Sequence, residues 1–465
     1  MSKRPYRSVR VNNVNIAELC ESVRGQPVVV GIDVGKADFF ASFMNREQRR
    51  QIATIRWQHP AQTREFGRLV ASVAEAADRV EVAMDPSGVY GDALRFLLIT
   101  DGFPVFRVSP KRSHDAREVY DGVPSLHDAK SASIVAKLHL DGASEPWPIK
   151  SDRERELTAT LRTLEVYEQQ FQKNRNRLEA LTARHWPELT EFLSLGSATL
   201  LELLIEYGDP AAVANDSAEA ARLMRKVGGR FLDPAKIERV IASAATTVGM
   251  PPIASEAGLI QGIAAEARRN QQAASKARRA VEALSEAEGS TKEMAAVIGK
   301  TTAAVLVAGV GDPLRYASPQ ALLKSIGLNL KEKSSGKKVG PLRITKRGPG
   351  IVRMFLWMAA LRLIHSDPIV AAWYAKKVRR DGGRAKAKAV VAVMRKLVLA
   401  LWYVARGDVF DAAKLFDRSR LDLRGVTTTT SSAPSERRRT PTAAEACRTD
   451  GVRSSADDAT EAAMT

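Results

Sequence analysis

Cysteine is nearly absent from this chain: only Cys20 and Cys447 occur among 465 residues. Two thiols so far apart exclude a disulfide framework and a cysteine-rich zinc site. Histidine is scarce and scattered, at six residues, which argues against a His-built metal cluster. No apolar run reaches about 18 residues, the length a membrane-spanning helix needs. The N-terminus, MSKRPYRSVRVNNVN, is basic but lacks the apolar stretch of a secretory signal. Acidic residues are outnumbered: 71 Lys and Arg face 53 Asp and Glu, a formal net charge of +18. That balance points to a polyanionic partner and says nothing of fold. The rest is ordinary, with 45% hydrophobic and 27% charged residues, enough to build sizeable cores. The first expectation is a cytoplasmic protein that handles nucleic acid. Its length suggests about two to four domains.

Residues 1–25 read as a basic arm. From Pro27 a meander begins, with apolar runs at 28–32, 39–44 and 51–57, broken by Gly35 and the polar stretch Asn45–Arg50. A helix over about 61–76 carries Phe66, Leu69, Val70 and Val73 on one face. Strands at 80–84 and 104–108 then alternate with helices at 90–100 and 128–140. Three antiparallel strands followed by alternating elements describe an α/β, RNase H-like domain over 26–145. Residues 146–293 read as a helical coiled-coil arm with an insert. Its long helices are expected at 152–190 and 257–287. Leu157, Leu161, Leu164, Phe171 and Leu178 follow heptad-like spacing, interrupted by Glu168 and Arg175. Residues 294–420 read as a mostly α unit. Its Ile-Gly-Lys-Thr-Thr segment is either a helix-hairpin-helix offering backbone N–H groups to phosphate, or an ordinary helix pair in a core. Helices are expected at 350–364 and 384–405. Residues 421–465 have few large apolar side chains and read as a disordered tail.

Three constellations carry chemistry. Asp33 ends the first strand, in GIDVGK; Asp85 ends the fourth, in EVAMDPSGVYG; Asp128 starts the closing helix, in HDAKSASIVAKL. In an RNase H-like sheet the first and fourth strands are neighbours, so these carboxylates can converge. Hard oxygen ligands of this kind hold Mg²⁺ or Mn²⁺ for phosphodiester chemistry. The plain alternative for each is a turn or helix cap, which suits Asp128 well. Second, the loop KEKSSGKKVG holds Ser334 and Ser335 beside Lys333, Lys337 and Lys338. A serine needs help to become a nucleophile, and cations stabilise charge on an attacked phosphate. The alternative is a flexible loop that only touches phosphates. Third, the stretch 331–396 contains just three acids, Glu332, Asp367 and Asp381. Its basic residues Arg343, Lys346, Arg347, Arg353, Lys376, Lys377, Arg379 and Arg380 form the strongest electrostatic footprint in the chain. Trp357, Trp373, Tyr374, Trp402 and Tyr403 nearby read as core rather than base-stacking groups. Neither Gly-rich segment, at 309–312 or 348–350, fits a nucleotide-loop pattern.

GIDVGK, DPSGVYG, VSPKR and HDAKSASIVAKL in the first half are joined by SIGL, SSGKK, ITKRGPGIVRMFLWMAAL and GRAKAKAVVAVMRKLVLALW in the second. In this order the chain resembles the DEDD transposases of insertion-sequence family one hundred and ten, relatives of pilin-gene invertases. The resemblance covers roughly 27–145 and 294–415, with the helical arm in place between them. It implies a RuvC-like domain with four acidic residues and a C-terminal domain with a nucleophilic serine. Asp33, Asp85 and Asp128 take the first three acidic positions, Asp85 standing where the family usually has Glu. Ser131 stands at the fourth, where the charge is lost; Asp121 or Asp115 is a candidate substitute. Ser335 matches the family serine, with Ser334 its close neighbour.

The expectation is a transposase that cuts and rejoins DNA, with Ser335 attacking DNA and Mg²⁺ or Mn²⁺ held by Asp33, Asp85, Asp128 and Ser131. The resemblance further implies a structured guide RNA encoded by the element, a homodimer or homotetramer, and a bacterial, nucleoid-associated location. Two rivals stand beside it. One is a metal-dependent hydrolytic nuclease of junction-resolvase type. The other is a catalytically decayed nucleic-acid-binding protein.

Overall fold

A computed structural model of the chain describes residues 7–86, 88–125, 127–286, 289–332, 334–335, 340–417 and 421. The chain divides into two compact units, before and after the Ser151–Asp152 bond.

The first unit is a seven-stranded sheet with helices. Its strands are β1 (Val9–Arg10), β2 (Pro27–Val34), β3 (Asp38–Asn45), β4 (Gln51–Gln58), β5 (Arg79–Met84), β6 (Val105–Val108) and β7 (Ser144–Pro146). The helices are α1 (Ile16–Val23), α2 (Thr63–Ala76), α3 (Asp92–Thr100), α4 (Pro110–Asp115) and α5 (Asp128–Leu140). The sheet order is β1-β4-β3-β2-β5-β6-β7. Strands β2, β3 and β4 are antiparallel, while β5 returns through α2 to lie parallel to β2. β6 adds parallel to β5 after α3. This mixed α/β arrangement is compatible with an RNase H-like fold. Under the sheet, Trp57 and Phe66 stack with centroids 3.7 Å apart and planes within 6°. Such an aromatic pair adds about 1 kcal/mol beyond the area it buries.

The segment read as a basic arm is largely built in. Val11, Leu19 and Val23 are buried in the core of this unit. β1 pairs with β4, Val9 opposite Ile55. Three apolar residues on one side of 9–23 supply the reason, since they need a core to cover them.

The second unit is helical. α6 (Asp152–His185) and α12 (Ala254–Ser285) are its long helices. Between them run α7 (Leu189–Phe192), α8 (Ala198–Glu206), α9 (Pro210–Asn215), α10 (Ser217–Gly228) and α11 (Pro234–Thr246). After them come α13 (Gly289–Ile298), α14 (Lys300–Val310), α15 (Pro319–Ser325), a short hairpin of β8 (Leu330–Lys331) and β9 (Arg343–Ile344), α16 (Gly350–Ser366), α17 (Pro368–Arg380), α18 (Lys386–Val404) and α19 (Ala412–Leu415). α6 and α12 run antiparallel, tied by Arg153 to the Leu284 carbonyl, Arg278 to Glu168, and Asn174 to Glu266. The two polar heptad breaks thus find a use, Glu168 in that ion pair and Arg175 in a 9%-exposed setting over the Phe171 ring. One apolar cluster takes Leu178, Ile260 and Ala264 together with α8, α10 and α11. A larger one takes Leu157, Leu161 and Val281 together with α14, α16 and α18. Residues 152–293 and 294–420 lie in this one compact unit, and 146–151 belong to the first. No single described helix is long and apolar enough to cross a membrane. Apart from Leu421, the tail read as disordered lies outside the described residues.

Candidate active site and basic surface

Asp33 sits near the end of β2, opposite Phe40 of β3. Its parallel neighbour β5 ends at Met84, opposite Ile32, so Asp85 follows directly beside Asp33. Asp85 is 7% exposed. The Val34 N–H donates to its Oδ1 at 3.4 Å, which holds that carboxylate at the end of β2.

Asp128 enters through α5. The cap of that helix is His127, whose Nδ1 accepts the Lys130 N–H at 3.3 Å. Asp128 is therefore the first helical residue and not the cap. Its carboxylate stands where the helix dipole favours an anion. α5 reaches this position because Gly31 lets its backbone lie directly on β2. A Cβ at Gly31 would meet the Ala132 oxygen and the Ala136 nitrogen at 2.4 Å each.

The Asp33 carboxyl feels the other two. Burial pushes the Asp33 carboxyl up to about 7, and the charges of Asp85 and Asp128 add to that shift. Repulsion among clustered carboxylates is what a bound cation relieves. The donor chemistry thus suits a hard divalent ion. No three His, Cys, Asp or Glu side chains stand together as a ready-made metal cage among the described residues. Ser131, one turn after Asp128, is half-buried on α5. The candidate substitutes do not join the set. Asp121 accepts from the buried Lys130 ammonium at 2.8 Å. Asp115 is exposed and held below the usual carboxylate range by bonds to Lys111 and His114.

Ser334 and Ser335 are both exposed, between β8 and β9. The Ser334 hydroxyl donates to Glu332 and accepts the Gly340 N–H at 2.9 Å. That serine is committed to shaping its own loop.

Comparison with known proteins places these residues in context. Residues 30–187 match the family model for the DEDD transposase of IS110, described as a transposase. Residues 295–375 match the model for the transposase IS116/IS110/IS902 family. The two matches take in both the acidic set and the serine loop, in the order of one family. The chain belongs to the IS110 family of transposases. It is also 26% identical over 393 residues to the Insertion element IS900 uncharacterized 42 kDa protein of Mycobacterium paratuberculosis, spanning 82% of this chain and 96% of that protein. Membership carries DNA transposase activity and hence DNA binding. DEDD-type domains generally use divalent metal ions.

The candidate basic residues of this transposase differ in setting. Arg343, Lys346, Arg347, Lys376, Arg379 and Arg380 are exposed. Lys377 is largely covered and paired with Asp381 at 2.7 Å, which also lies 3.7 Å from Arg380. Arg353 is a clasp and not a surface cation. Its Nη1 donates to the Ile326 carbonyl at 3.0 Å and the Gly348 carbonyl at 2.8 Å. It binds the SIGL turn to the KRGPG turn, where Gly327 and Gly348 permit backbone contact. Lys333, Lys337 and Lys338 lie outside the described residues.

The Ile-Gly-Lys-Thr-Thr segment does form two helices, α13 and α14, about Gly299, whose φ is +81°. Its polar side chains face acids, however. Lys300 bonds Glu286, and Thr301 bonds Glu282, both on or just after α12. Carboxylates there repel a phosphate, which favours the ordinary helix pair. The aromatic residues are mostly structural, as expected. Trp402 donates to the Tyr316 carbonyl at 2.9 Å, and Trp373 packs on Phe416 at 4.8 Å.

Proposed function

We propose that this transposase moves its insertion sequence with Ser335 as nucleophile and with Asp33, Asp85 and Asp128 as the ligands of Mg²⁺ or Mn²⁺. The observation that supports the reading is the placement of Asp33 and Asp85 at adjacent strand ends, with Asp128 at the start of α5 close enough for its charge to act on Asp33. Ser131 supplies a neutral oxygen at the fourth position. When bound, a divalent ion neutralises phosphate charge and raises the reactivity of an oxygen bound to it.

The chain's own residues do the rest. Asp85 is fixed by the Val34 N–H and keeps its place at the strand end. The Ser334 bonds to Glu332 and Gly340 hold the residue next to Ser335. As Ser335 Oγ bonds to phosphorus, the bond to one strand oxygen breaks, and that oxygen takes a proton. The serine proton leaves to solvent or a nearby carboxylate. The phosphoserine link conserves a phosphate ester, so the reverse attack by another strand rejoins DNA without an external energy source. Arg343, Lys346 and Arg347 hold the DNA backbone. We further assign a structured, element-encoded RNA as guide, and the α6–α12 pair as a coiled-coil spacer in a homodimer or homotetramer.

Denaturing gels test this reading. The full chain is incubated with Mg²⁺, DNA carrying the element ends, and RNA from the flanking non-coding sequence. A protein–DNA adduct is expected for wild type and for Ser334→Ala, and not for Ser335→Ala. Cleaved DNA without an adduct assigns the attack to water, as in a hydrolytic nuclease. A second reading, a decayed copy that only binds nucleic acid, draws on Ser131 at the fourth acidic position and on the engagement of Asp115 and Asp121 elsewhere. Its signature is salt-sensitive binding without cleavage in any divalent metal.

A further inference from the structure

Building on that nucleic-acid reading, we propose that the cavity under the β8–β9 hairpin binds one unpaired nucleotide, its base on an apolar floor and its phosphate on a cationic rim. The cavity has a volume of about 580 Å³ and is bounded by the hairpin, α17 and α18. Pockets of roughly 300–1,000 Å³ suit small organic ligands, so one nucleotide fits.

Leu330, Leu342 and Val391 supply much of the floor. Leu330 and Leu342 are 41% and 53% exposed, so this apolar lining is open to a ligand. Lys331, Arg343, Lys346 and Lys388 supply the rim. Among the described residues, no acidic one lines the cavity. The neighbouring Asp381 pairs with Lys377 at 2.7 Å and lies 3.8 Å from Lys388. Lys346 has φ +55°, a left-handed conformation that a lysine adopts at a cost of about 1 kcal/mol or more. Its N–H bonds the Gly327 carbonyl at 2.9 Å, and the neighbouring Thr345 N–H bonds the Asn329 carbonyl at 2.9 Å. The surrounding backbone thus holds Lys346 in this conformation beside the cavity.

This pairing of surfaces selects the ligand. An inorganic phosphate has no use for the apolar floor. A duplex keeps its base faces stacked inside and offers the rim only its backbone. An unpaired nucleotide satisfies both, with aliphatic side chains packing on the base face. The same chemistry comes from a DNA strand opened during exchange or from a single-stranded RNA segment.

Fluorescence anisotropy on the full chain tests the site. Four labelled probes are compared: a short thymidine DNA strand, a uridine RNA strand of equal length, an abasic DNA strand, and a duplex. Wild type is expected to bind the thymidine or the uridine strand about tenfold more tightly than the abasic strand, the scale of one base contact. The favoured strand names the source. Ala392→Trp fills the cavity without changing charge. It is expected to abolish that base-dependent gain and leave duplex affinity within about twofold of wild type. If circular dichroism shows that this variant does not fold, Ala392→Leu takes its place. Lys388→Gln is expected to weaken single-strand binding and flatten its salt dependence. Equal affinity of wild type for base-bearing and abasic strands overturns the site, as does a gain that survives filling of the cavity. Duplex binding that persists in either case leaves the broader nucleic-acid reading standing. A wild type that binds none of the probes overturns that reading as well.

Discussion

Gly31 of β2 and Ala136 of α5 lie in backbone contact, with room for a hydrogen but not a methyl group. Added bulk there pushes α5 off the sheet, because the opposing atoms are backbone and do not swing aside. Gly31→Ala is therefore expected to destabilise the first unit by about 3 kcal/mol, the upper range for overpacking. Urea unfolding checks this. The variant is also expected to lose metal-dependent activity, since Asp33 and Asp128 ride on the two elements forced apart.

The Asp33 carboxyl links stability to pH. In the folded chain it titrates near 7, against an ordinary value near 4. Between those values the folded state keeps a proton that the unfolded chain has lost. Stability contributed by Asp33 therefore falls as pH rises from about 4 to about 7, and the whole penalty persists above that. Asp33→Asn removes it. Without metal, the variant is expected to be more stable than wild type at pH 8, by at most a few kcal/mol, and close to it at pH 4. Mg²⁺ is expected to raise the wild-type midpoint more than that of the variant. An equal response of both proteins would count against Asp33 as a metal ligand.

Lys130 is 1% exposed, and its ammonium bonds Asp121 at 2.8 Å and the Val123 carbonyl at 2.7 Å. Lys130→Met strands both acceptors. A loss of about 2–3 kcal/mol is expected, moderated because Asp121 still reaches solvent. The double variant Lys130→Met with Asp121→Asn is expected to recover part of that loss. A double-mutant cycle with no coupling would contradict the pairing.

Arg353 and Arg343 should separate structure from binding. Arg353→Gln breaks two charge-assisted bonds to backbone carbonyls. It is expected to lower the stability of the second unit by about 2 kcal/mol. Arg343→Gln, on an exposed position of β9, is expected to leave the melting midpoint unchanged and reduce the salt slope of DNA binding by about one phosphate. Equal effects of both variants on stability would count against the clasp.

Much of this fold was legible because its signals are local. The apolar runs at 28–32, 39–44, 51–57, 80–84 and 104–108 all became strands of the sheet. α5 was expected over 128–140 and occupies that range. Other features were set by distant partners. Val11 and Leu19 needed a core that the meander supplies later in the chain, so the segment resembled an arm. α17 was missed because AKKVRRDGGRAKAK is dominated by charge. Its start was nonetheless signalled by Asp367, which caps the helix through the Ile369 and Val370 N–H groups, and by Pro368 at the first turn. Within the acidic set, Asp33 and Asp85 were legible from adjacent strand ends. The release of Asp128 from capping was not, because the imidazole of His127 does that work. Arg353 looked like its basic neighbours, and only the close approach of two turns reveals its role.

The antiparallel α6–α12 pair carries one apolar cluster near each end, with the charged and amide links between. At about 1.5 Å of rise per residue, its helices act as a ruler roughly 50 Å long. The polar links set the zero of that ruler, since a shift of register would leave Glu168 and Asn174 without their partners. Its length is a separable trait. Matched heptad insertions in both helices would move the two clusters apart by about 10 Å while keeping every face aligned. A lone insertion of one or two residues would instead rotate one cluster away from its helix. Spacing along this pair is thus expected to vary among related chains in steps of a whole heptad.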